Sequence, residues 1–75
     1  MTLYDFLILP IDSKYEVVWD EGIHIETYTG YDKIYQLYAL NDFFVEIIYD
    51  PKTNKIVDHL AFKQGEHLEK YLPEL

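Results

Sequence analysis

The sequence contains no cysteine and no arginine, only three glycines and three prolines, and no long apolar run. Each absence excludes something. Without cysteine there is neither a disulfide framework nor a thiolate metal site, which fits a reducing compartment. Without arginine the chain lacks the side chain that makes bidentate contacts to phosphate, so direct nucleic-acid binding is not expected. No apolar stretch approaches the roughly 20 residues needed to cross a bilayer, so no membrane contact is expected. The apolar residues from Leu3 to Ile11 are few, carry Asp5 and lack a basic flank, unlike a signal peptide. The expected location is cytoplasmic.

Positive charge is scarce as well. Fourteen acidic residues stand against six lysines, for a formal net charge of −8. Such a balance serves solubility or attraction to a basic partner. What is abundant is hydrophobic and aromatic character, 49% and 17% of 75 residues, which argues against disorder. A chain of this length buries only about 60–65% of its unfolded surface, so nearly every apolar side chain must contribute to one core. A single domain over 1–75 is expected.

The clearest pattern is a meander over 31–63. Ile34 to Leu40 reads as a strand, Asn41-Asp42 as a two-residue turn and Phe43 to Tyr49 as the return strand. Pro51 to Asn54 then turns the chain into Lys55 to Phe62. Before it, Ile23-His24-Ile25-Glu26-Thr27-Tyr28 alternates as a first strand. Thr2 with Asp5 predicts a capped short helix ending before Pro10. Asp12 or Ser13 predicts the start of a second, with Tyr15, Val18 and Trp19 on its inward stripe and Gly22 as its C-terminal glycine. Trp19 is the expected anchor on the sheet, so Trp19→Ala is expected to cost roughly 3–5 kcal/mol. A third helix over 66–72 is expected, with Leu68, Tyr71 and Leu72 inward. The fold class is therefore α+β: a four-stranded antiparallel β-meander with two N-terminal helices and one C-terminal helix packed on one face.

Turn lengths set a register. Leu40 should face Phe43, Gln36 should face Ile47, Ile47 should face Asp58 and Val45 should face Leu60. The first hairpin should pair His24 with Leu37 and Ile25 with Gln36. The core face would then carry Ile23, Ile25, Tyr38, Val45, Ile47, Leu60 and Phe62, interrupted by Thr27, Gln36 and Asp58. The other face would carry Tyr35, Leu37, Phe44, Glu46, Ile48, Val57 and His59. That face is more apolar than a solvated sheet requires, which marks it as a candidate interaction surface.

Little else carries chemistry. His24, Glu26, Glu46 and His59 would share the outer face and suggest a small metal-dependent hydrolase. The edge strands holding the two histidines are three spacings of about 4.8 Å apart, too far for one ion. Asp12, Glu16 and Asp20 form an acidic stripe at i, i+4 and i+8, either a solvated face or a docking stripe, even a phosphate mimic. Gln36 and Asp58 flank Ile47 as a small polar site or as an uncovered sheet margin. No glycine-rich phosphate loop, nucleophile motif or HExxH occurs.

Leu9-Pro10-Ile11-Asp12 with Trp19-Asp20-Glu21-Gly22, the run from Leu37 to Glu46, Tyr49-Asp50-Pro51, Ala61-Phe62-Lys63 and Leu68 to Leu72 together resemble a group of small uncharacterised bacterial proteins. The resemblance spans nearly the whole chain, and its motifs are caps, turns and a strand core. It implies the element order and a bacterial source; the group has no assigned activity to transfer. The expected function is a small acidic protein-binding or adaptor module, without catalytic residues, cofactor or metal. It would use the outer sheet face toward a protein partner or a second copy in a homodimer, and inhibition of the partner is one form of that role. The alternatives are a nucleic-acid-mimicking inhibitor and the small hydrolase.

Overall fold

A computed structural model describes residues 1–63. The helix expected over 66–72 lies outside the described residues. In order, the chain forms α1 (Leu3–Leu7), α2 (Ile11–Glu21), β1 (Ile23–Thr29), β2 (Ile34–Leu40), β3 (Phe43–Asp50) and β4 (Lys55–Phe62). The strands make one open antiparallel sheet in the order β1-β2-β3-β4, so the α+β meander expected from the sequence is present.

Local chemistry starts and stops these elements. The Thr2 hydroxyl accepts from the Asp5 N–H at 3.2 Å, and the Asp5 carboxylate accepts from the Thr2 N–H at 3.0 Å. This reciprocal cap holds the Asp5 carboxyl below its ordinary pKa, chiefly through the Thr2 backbone N–H. Helix α2 begins earlier than expected. Pro10 is its N-cap, with an extended ψ of 153°, and its carbonyl accepts from the Lys14 N–H at 3.0 Å. Ser13 therefore lies inside the first turn and does not cap it. Asn41 takes the left-handed φ of 57° that the tight β2–β3 turn needs, and Asn54 does the same at 58° before β4. In that second turn the Asp50 carboxylate accepts from the Lys52 N–H at 2.9 Å.

The central hairpin has the expected register: Leu40 faces Phe43 and Gln36 faces Ile47. Both edge strands depart from expectation, because each contains a β-bulge. In β4 the turn places Asp50 opposite Lys55 and Tyr49 opposite Ile56, but Val57 is an extra residue, and Ile48 then faces Asp58 and Ile47 faces His59. Side-chain direction alternates along a strand, so one extra residue reverses every position beyond it. His59 and Ala61 turn toward the helices, while Asp58, Leu60 and Phe62 turn outward. In β1 the register lies two residues from the expected one, with Thr27 opposite Gln36. Ile25 is the extra residue there, so that His24 pairs with Tyr38 on the helix face and Ile23 with Ala39 on the outer face.

The β4 bulge has an evident energetic reason. Regular pairing would aim the Asp58 carboxylate at Ile47, which is fully buried beneath the helices. An unpaired carboxylate there costs far more than one unpaired backbone position. Outside, Asp58 accepts from the His59 N–H at 2.7 Å.

The core sits between helices and sheet. Phe6 and Val18 meet Leu40, Phe43, Val45 and Ile47, with Tyr15, Val17, Tyr38, Tyr49, Ile56 and Ala61 around them. The Phe6 and Phe43 rings lie 5.5 Å apart. Val18, not Trp19, is the buried centre of the α2 stripe. Trp19 leans off its side, with its ring edge-on to Tyr38 at 5.7 Å and stacked on Tyr15 at 6.4 Å. It is 47% exposed.

Candidate interaction surface

The central pair of strands brings together five of the residues expected on the outer face. Tyr35 faces Ile48, Leu37 faces Glu46 and Ala39 faces Phe44. The edges alter the rest of the group. His59 points to the other side, and Val57 occupies the bulge and is exposed. Phe62 joins the face, its ring 6.0 Å from that of Phe44, and Leu60 stands opposite Glu46.

This face is not open to water at its centre. Leu37 and Glu46 are each 2% exposed and Phe62 is 7% exposed, although both described helices lie on the opposite side. Glu46 is not a free carboxylate, and Tyr28, Tyr35 and Phe62 are likewise engaged. The motive for burying this face in a dimer, an apolar excess facing solvent, is correspondingly reduced.

The histidine–carboxylate group expected on one surface is divided by the sheet. His24 and His59 lie on the helix face, whereas Glu26 and Glu46 lie on the outer face. His59 Nδ1 pairs with the Tyr15 hydroxyl at 3.2 Å. The Gln36 side-chain oxygen accepts from the Thr27 hydroxyl at 2.6 Å and from His24 Nε2 at 2.7 Å, which requires the proton on that nitrogen. Gln36 thus belongs to a polar triad at the β1 margin, and Asp58 is not near it. Among the described residues no three side chains of metal-ligating type converge. Two surface depressions, of about 300 and 350 Å³, are lined respectively by Met1, Val17, Glu21, Leu40, Asn41 and Phe43, and by Ile34, Gln36, Tyr49, Pro51 and Asn54. Neither includes any of the four residues.

On the helix side, an aromatic row crosses the sheet beneath α2. It runs from His59 to Tyr15 (5.4 Å), Trp19, Tyr38 and His24, the last pair 5.4 Å apart. The sequence placed Tyr15, Trp19 and Tyr38 inward but gave no sign of the histidines, because their direction depends on the bulges. Burial pushes the Tyr38 and Tyr49 hydroxyls above the ordinary value near 10, with the Tyr38 and Tyr15 hydroxyls adding to the effect at Tyr49. Tyr15 is raised too, by burial first and then by the Asp58 and Asp12 charges.

A pH dependence follows. A tyrosine whose folded pKa exceeds its unfolded value supports the fold below about pH 10, and that support is lost as pH rises through the folded value. Alkaline melting curves should therefore show stability falling above about pH 10. Tyrosinate absorbance should show Tyr15, Tyr38 and Tyr49 ionising above the ordinary tyrosine value near 10. Tyr49→Phe should flatten the decline, and an unchanged slope would remove the assignment.

The surface beside the row is acidic. Asp12, Glu16, Asp20 and Glu21 are all exposed along α2, and Glu26 is exposed on the outer side of β1. The ion pairs between described lysines and carboxylates are Lys33–Asp32 at 3.3 Å and Lys63–Asp42 at 3.6 Å, so no described lysine forms an ion pair with the α2 carboxylates. Trp19 on α2 and Ile23 and Ile25 in β1 are exposed as well. No helix among the described residues is long and apolar enough to cross a membrane. Compared with protein-family models, curated proteins and solved structures, the chain matches none.

Proposed function

We propose that the protein is a small acidic protein-binding module that recognises a basic partner protein through the side formed by α2 and β1. The observation that carries this reading is Trp19. Its ring is fixed against Tyr15 and Tyr38 yet remains 47% exposed. A pre-positioned tryptophan binds with little loss of side-chain freedom, and tryptophan is enriched among the residues that dominate interface energetics. Asp12, Glu16 and Asp20 on the same helix supply long-range attraction that speeds encounter and selects positive partners. The outer face, with its centre already buried in a single chain, is the weaker candidate.

The test is capture from an extract of the source cell with wild type, Trp19→Ala and Glu16→Lys as baits. A partner should be retained at low salt, released as salt screens the charges, and weakened about tenfold or more by Trp19→Ala. Melting curves confirm that each bait is folded. A partner held equally by wild type and Trp19→Ala would overturn the reading.

A further inference from the structure

We infer that the partner engages the exposed edge of β1 by strand addition, as an extended basic segment that extends the sheet; this rests on the reading of α2 and β1 as the binding side. Strand β1 is an edge strand, and every one of its seven residues is exposed. Alternate residues of an edge strand direct N–H and C=O groups away from the sheet, a template for another strand. Natural edges are guarded by lysine, proline or a short length. The sequence of β1, IHIETYT, has no lysine and no proline. Its guards are the bulge at Ile25 and the Glu26 carboxylate, which accepts from the Thr27 N–H at 2.9 Å and would have to release it to an incoming strand; Glu26 to Thr29 stay in regular pairing with β2. The opposite edge differs: β4 begins at Lys55, is followed by Lys63, carries Asp58 and contacts α1.

Charge decides the kind of strand that fits. Glu26 projects from the outer side of β1, and Asp20 and Glu21 immediately precede the strand, all exposed. A second copy carrying the same −8 charge would meet repulsion. An incoming strand of alternating cationic and aliphatic residues would set lysine or arginine beside Glu26. Its aliphatic side chains would face the helix side, toward Trp19 and Thr27. Cross-strand pairs of opposite charge are favourable, and main-chain hydrogen bonds supply the remaining affinity.

The experiment uses the full isotope-labelled chain and a synthetic alternating Lys-Val peptide long enough to span β1. The same peptide N-methylated at alternate residues, and a Glu-Val counterpart, serve as controls. The expected result is amide shift changes concentrated in Ile23–Thr29, affinity reduced by about tenfold or more on N-methylation, and no binding of the acidic peptide. Absence of binding by the Lys-Val peptide overturns the inference. So does concentration-dependent self-association through β1, which would make the occupant a second copy. Salt-sensitive binding at α2 that ignores N-methylation overturns strand addition while leaving a basic partner in place. Loss of the Trp19 dependence of capture removes the underlying reading instead.

Discussion

Phe43→Ala should destabilise the protein by about 3–5 kcal/mol, the usual cost of truncating a fully buried phenylalanine. Phe43 is 1% exposed, faces Leu40 across the tight turn and packs its ring against Phe6 of α1. Truncation leaves a cavity where the first helix meets the sheet. A domain of 75 residues has a total stability of about 4–11 kcal/mol. The variant should therefore be marginal at room temperature. Trp19→Ala, by contrast, should cost only about half as much, because nearly half of the ring is already in water. Urea unfolding of the two variants side by side checks the packing. If Trp19→Ala proves the more damaging, α2 is seated on its tryptophan and the described orientation is wrong.

Gly22→Ala should destabilise by about 1–3 kcal/mol. The residue is not held in a left-handed conformation: its φ of −72° and ψ of 143° suit any amino acid. What demands glycine is space. A Cβ at this position would lie 2.5 Å from the Val18 carbonyl oxygen, the same atom that accepts the Gly22 N–H at 2.9 Å. That oxygen is backbone and yields only if the end of α2 shifts, which would move Trp19 and the start of β1 together. Restricting the unfolded chain favours alanine by at most about 1 kcal/mol, so the clash should win. Gly30→Ala is the internal comparison. Its nearest contact, 3.2 Å, is to the Tyr35 side chain, which can rotate away, so a near-neutral effect is expected. Unfolding curves in which Gly22→Ala equals or exceeds wild type would refute the close-approach argument.

The sequence by itself determined what depends on near neighbours along the chain. The Thr2–Asp5 cap, the Asn41-Asp42 turn and the β2–β3 register are fixed by residues a few positions apart, and the sequence shows each of them. So is the shared placement of Tyr35, Leu37, Phe44, Glu46 and Ile48. Tertiary structure decided the faces of both edge strands. Bulges at Ile25 and Val57 turn both histidines to the helix face and move Leu60 and Phe62 outward. One signal for the second bulge was present in the sequence: regular pairing after the Pro51 turn aims Asp58 into the core. Weighing that carboxylate against one irregular residue required knowing that a helix covers the position, which is a long-range fact. The same holds for Trp19. Helical spacing puts it near the inward stripe, but only the seating of α2 on Val18 leaves its ring half in water. Alternation and capping are local and so can be read from a chain. A helix's rotation about its axis and the burial of a sheet face depend on packing between elements distant in sequence.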